Sequence, residues 1–87
     1  MGSAAQKTIA VCRADNVQLD KDIDALYAKA KKEGKITSAE ATRYQRLENG
    51  IRDRRAKLAR DGFTLADCNT MTQEYEKEKA EVIKMGQ

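Results

Sequence analysis

The chain has 87 residues, of which 36% are charged, with a net charge of +3, no proline, no histidine and two cysteines. That length supports one small domain, and a proline-free sequence rich in Ala, Glu, Lys, Arg and Leu, with one Phe, three Tyr and no Trp, favours helices over a β-sandwich. The interspersed charge signs argue against a nucleic-acid-binding tail, and no apolar run approaches the roughly 18 residues of a transmembrane helix.

In chain order, Met1-Gly2-Ser3 reads as an expression remnant and Ala4-Ala5-Gln6 as the residues left after signal-peptide removal. The expected division is therefore a remnant and N-terminal arm over 1–13 and a helical bundle over 14–87, with helices at about 15–33, 37–61 and 64–85. The first helix is expected to begin at Asp15, with Gln18 completing a capping-box-like pair. Its apolar stripe is Leu19, Ile23, Leu26 and Ala30, and Gly34 stops it.

The second helix starts with Thr37 and Glu40 as a capping box, and Ile36 and Ala41 can form a hydrophobic staple. Tyr44, Leu47, Ile51 and Leu58 keep the helical period, and Gly62 ends it. Asn49-Gly50 interrupts this helix with a turn-forming pair. One continuous helix is expected because the stripe passes through in phase; a kink or a fourth helix is the alternative. The third helix repeats the pattern: Thr64 caps with Asp67, Phe63 can staple against Cys68, and Leu65, Cys68, Met71 or Thr72, Tyr75 and Val82 form its buried stripe. Gln73, Glu74, Glu76, Lys77, Glu78, Lys79 and Glu81 read as paired charges on its outer face.

Two short turns require antiparallel neighbours, so the expected fold is all-α, an up-down-up three-helix bundle. The starts of the first and third helices then lie at one end, which brings Cys12 beside Cys68. A disulfide between them would tie on the N-terminal arm and, by closing so long a loop, stabilise the fold by about 4 kcal/mol. Two reduced cysteines, or intermolecular pairing through Cys12, are the alternatives.

Chemistry is sparse. Without histidine, a cysteine nucleophile lacks its usual base, and a zinc site would have cysteine and carboxylate ligands alone, where two distant cysteines fall short of four. Laid on an EF-hand loop, Lys29 to Glu40 places Gly34 at the sharp turn and Glu40 at the last ligand position. Lys29 and Lys31, however, stand where carboxylates must coordinate, and capping explains the rest. No catalytic residue, cofactor or metal site is expected, and no enzyme. On a helical wheel Arg43, Arg46, Arg54 and Lys57 share one arc, a basic interaction face that could track phosphates. Intervening acids and the want of aromatics favour a solvated basic face.

The motif G-x-[IL]-T-x-x-E-A at Gly34–Ala41, its degenerate copy at Gly62–Cys68 and the Cys12-Arg13-Ala14-Asp15 start resemble small secreted helical proteins of Burkholderia-type proteobacteria. That resemblance implies a helical architecture and export, and carries over no site. The expected protein is thus non-enzymatic, monomeric, periplasmic or secreted, acting through a protein partner and a candidate bacterial antigen. The alternative is a nucleic-acid-binding module using the basic second helix.

Overall fold

Each of the three helices begins where a threonine side chain replaces a missing backbone partner. The computed structural model describes residues 8–87 and contains α1 (Ile9–Lys32), α2 (Ser38–Arg60) and α3 (Leu65–Met85). Thr37 and Thr64 close capping boxes with Glu40 and Asp67, in which each threonine hydroxyl accepts from the third residue's N–H and the carboxylate returns to the threonine N–H. Such caps satisfy helix donors that have no intrahelical partner. Gly34 (φ 74°) and Gly62 (φ 81°) then turn the chain in the left-handed region that glycine alone enters without cost.

One boundary differs from the sequence expectation. Helix α1 starts at Ile9, capped by Thr8, whose hydroxyl accepts from the Val11 N–H. Asp15 and Gln18 lie inside the helix, and Gln18 donates to Asp22 instead of capping. The segment expected as an arm is thus helical from Ile9 on, while Met1-Gly2-Ser3 and Ala4-Ala5-Gln6 lie outside the described residues. At Asn49-Gly50, α2 runs on without a break.

The bundle is up-down-up. Helices α1 and α3 run parallel with a constant offset: Cys12 is bonded to Cys68, Asn16 meets Thr72, both 56 positions apart, and Ala30 faces Gly86. The α1 residues on this seam are Cys12, Asn16, Leu19, Ile23, Leu26 and Ala30, alternating by four and three as in a coiled coil. Their facing α3 positions include Cys68, Thr72, Tyr75 and Val82. Helix α2 runs antiparallel to both and packs mainly on α3; no Cα of α2 comes within 8 Å of one in α1 among the described residues. Ile23, Ile51, Met71, Tyr75 and Val82 form the core, supported by Leu19, Leu26, Tyr27, Tyr44, Leu58 and Phe63. The space between α1 and α2 is filled by long side chains, including a Tyr27–Tyr44 stack with ring centroids 3.7 Å apart. That spacing admits polar groups to the junction of the three helices.

Candidate functional site

Three features could serve a function: a polar relay beneath the disulfide, an acidic junction at mid-bundle and a groove between α2 and α3. The relay begins at Arg55 of α2. Its guanidinium donates to Asn16 Oδ1 at 3.2 Å, Asn16 Nδ2 donates to Thr72 Oγ1 at 2.8 Å, and Thr72 Oγ1 donates to the Cys68 carbonyl at 3.1 Å. Asn16 is buried, so these bonds remove the cost of placing an amide in the core. Arg55 and Arg13 also lie over the Phe63 ring, at 4.9 and 5.4 Å from its centroid. The Cys12–Cys68 bond, with Cα atoms 6.2 Å apart and both side chains fully buried, closes this end of the bundle.

The acidic junction lies farther along. Asp20 and Asp24, one turn apart on α1, share a face, and Glu48 of α2 comes opposite them. One carboxylate oxygen of each lies within 4.8 Å of the others. Glu78 of α3 meets Glu48 from the interior. It is 1% exposed, and neither of its carboxylate oxygens has a hydrogen-bond partner. Burial, then contact with Glu48 and the charges of Glu48, Asp20 and Asp24, push its carboxyl up to about 9. Two carboxylates can bond to each other only when one holds a proton, so Glu78 and Glu48 have no donor between them unless one of the two is neutral.

Burial, with Asp24 and Glu48 nearby, also raises Asp20, against the opposing charge of Arg55. Tyr44 donates its hydroxyl to Asp24 at 3.0 Å. Its own ionisation is pushed up by burial first, then by the Glu48 charge and the bond to Asp24. The arrangement is rich in oxygen acceptors, and Glu78 and Glu48 are placed to share a proton.

The groove between α2 and α3 encloses about 560 Å³. Leu47, Gly50 and Ile51 line it, with Arg43, Arg46, Arg54 and Lys77 and the carboxylates Glu74, Glu78 and Glu81 around them. Three of the four residues expected to form a basic face therefore converge here, while Lys57 is exposed on α2 away from the groove. Arg43 pairs with Glu81, and Arg54 with Glu74 at 3.4 Å, across the α2–α3 interface. Those pairs half-neutralise the face. Arg46 and Lys77 hold no ion pair among the described residues.

Glu40, which could have ended a calcium loop, accepts from the Thr37 N–H and stays a cap. Glu78, expected on the outer face of α3, is interior instead. It falls in the 3–4 spacing of Cys68, Met71, Tyr75, Glu78, Val82 and Met85, all of them buried, and that spacing was the available signal. Asp20 and Asp24 stand one turn apart on α1, but Glu48 meets them from α2, and no linear spacing joins the two helices. No protein-family model matches the chain, and neither a curated protein nor a solved structure matches it significantly.

Proposed function

We propose that this chain is a non-enzymatic, disulfide-braced interaction protein of an oxidising compartment, the bacterial periplasm or the extracellular space, and that the α2–α3 groove receives its partner. The groove carries the reading: beside an apolar floor of Leu47 and Ile51 stand Arg46 and Lys77, which hold no ion pair among the described residues, while Glu74 and Glu81 on the same wall are paired with Arg54 and Arg43. A partner that fits presents apolar side chains flanked by carboxylates. The buried disulfide supports the compartment, since such bonds persist where thiols are not kept reduced. No helix is long and apolar enough to cross a membrane among the described residues.

A photo-crosslinking amino acid at Leu47, compared with one at Lys21 on α1, tests the reading in periplasmic or host extracellular extract. Adducts specific to Leu47, and lost in the Arg46→Glu, Lys77→Glu double variant, are the expected result. Equal labelling from both positions, or none from Leu47, overturns it.

The nucleic-acid alternative is disfavoured by the two ion pairs that occupy Arg43 and Arg54. A gel shift at about 50 mM salt, where phosphate contacts are strong, would still reveal it.

A further inference from the structure

We propose that the α2–α3 groove seats an amphipathic acidic helix of the partner protein, its apolar stripe over Leu47 and Ile51, its closest approach at Gly50, and its carboxylates facing Arg46 and Lys77. The inference rests on the reading that this groove receives the partner, and adds what the partner brings to it. Three independent features of the groove meet here: its direction, the glycine at its middle and the charges on its banks.

Both banks are helices. On α2 the lining residues Arg43, Leu47, Gly50 and Arg54 recur at the helical spacing, and on α3 so do Glu74, Lys77 and Glu81. Each row lies along one face of its helix, so the groove follows the helix axes. From Arg43 to Arg54 it runs for about 16 Å at 1.5 Å per residue, which about three turns of a partner helix would span. Rows of side chains on two neighbouring helices are the ridges between which a further helix packs. An extended peptide would lay its own N–H and C=O groups on Leu47 and Ile51, which offer them no partner. A helix arrives with its backbone bonds already made.

Gly50 marks the seat. It lies in the middle of α2, where glycine costs about 1 kcal/mol relative to alanine. The fold itself does not call for it: the helix runs through without a positive φ, and a Cβ built there meets nothing within 4 Å. Gly50 lines the groove, so the space left by its missing side chain belongs to the groove. A glycine at such a point lets another backbone come closest to α2.

The charges select among helices. Arg43 and Arg54, at the two ends of the α2 row, are paired with Glu81 and Glu74 across the groove. Glu78 also borders the groove, but its carboxylate oxygens are buried. That leaves Arg46 on the α2 bank and Lys77 on the α3 bank, neither holding an ion pair among the described residues. One such cation on each bank matches carboxylates on both edges of the partner's apolar stripe, and repels a helix whose edges are basic.

Fluorescence anisotropy of the oxidised chain with labelled peptides of about 14 residues tests the inference. The first probe is locked helical by side-chain lactams, with leucines in 3–4 spacing and glutamates on both flanks. The second has lysine flanks instead, and the third is the acidic peptide broken by a central proline. The acidic helix is expected to bind with a dissociation constant below about 100 µM, and the other two at least roughly tenfold more weakly. Gly50→Leu fills the seat with a better helix former, so its melting temperature should not fall, yet it is expected to weaken the acidic helix at least roughly tenfold. The Arg46→Glu, Lys77→Glu double variant, with its helical circular dichroism retained, is expected to do the same. The proposal is overturned if the proline-broken or lysine-flanked peptide binds as well, if Gly50→Leu leaves affinity unchanged, or if the acidic helix fails to bind at about 1 mM. Photo-adducts from Leu47 that persist beside any of these results keep the groove as the partner's site and remove only the helix; their absence removes the groove itself.

Discussion

Asn16 donates its amide to Thr72 across the α1–α3 seam at 2.8 Å, and the two stand 56 positions apart, the same offset as the disulfide one turn away. A buried asparagine at such a seam satisfies its amide in one register only, as it does in coiled coils. Asn16→Leu leaves both Thr72 and Arg55 without their side-chain partner, and is expected to lower stability by about 1–3 kcal/mol in urea denaturation. A variant as stable as the parent would show that hydrophobic gain outweighs the relay.

The disulfide and the relay act at the same end of the bundle, but on different states of the chain. The bond restricts the unfolded chain, so replacing Cys12 and Cys68 by serine should lower stability by about 4 kcal/mol. Both sulfurs are fully buried, so dithiothreitol should reduce the native protein only as fast as this end opens. Reduction followed by mass spectrometry over a denaturant series measures that rate directly.

Gly50 offers a gain. It lies inside α2, and a Cβ built there meets nothing within 4 Å. Gly50→Ala should therefore raise stability by about 1 kcal/mol through the restricted unfolded chain and better helix propensity. The same change at Gly34, at φ 74°, should destabilise, and thermal melts of the two variants give the contrast.

Glu78 sets a pH dependence with an unusual sign for a carboxyl group. Its folded value is about 9 against an ordinary 4.5, so between these pH values the folded state holds a proton that the unfolded state has released. The contribution is fully present below about pH 4.5 and is lost as pH rises toward 9, at a slope on the order of 1 kcal/mol per pH unit. Glu48 of α2 and Asp20 and Asp24 of α1 raise it, while Arg43, Arg46, Arg54 and Lys77 line the groove that Glu78 borders. Melting in metal-free buffer should show lower stability at pH 8.5 than at pH 6, and Glu78→Gln should flatten the difference.

What was legible in the sequence was mostly short-range. Thr37 with Glu40, Thr64 with Asp67, and the two turning glycines act within a few residues, so their spacing alone announces them. The start of α1 was hidden because its second seam position, Asn16, is polar and breaks the apolar stripe, while Asp15 and Gln18 imitate a cap. Glu78 was hidden by its charge: a glutamate between Lys77 and Lys79 reads as surface, although Tyr75 and Val82 place its position inside. The basic face on α2 was visible as an arc, but its pairing with Glu74 and Glu81 depends on the antiparallel register of α3, which no local pattern encodes.

The parallel arrangement of α1 and α3 also decides how the molecule would carry tension. An odd number of helices leaves Thr8 at one pole and Met85 at the other. With the Cys12–Cys68 bond intact, force applied between these points passes from the first turn of α1 into α3 and along it. The rest of α1, all of α2 and both turns are bypassed. Oxidised, the chain is a short strut whose inner hairpin bears no load; reduced, the same pull must unravel every helix in series.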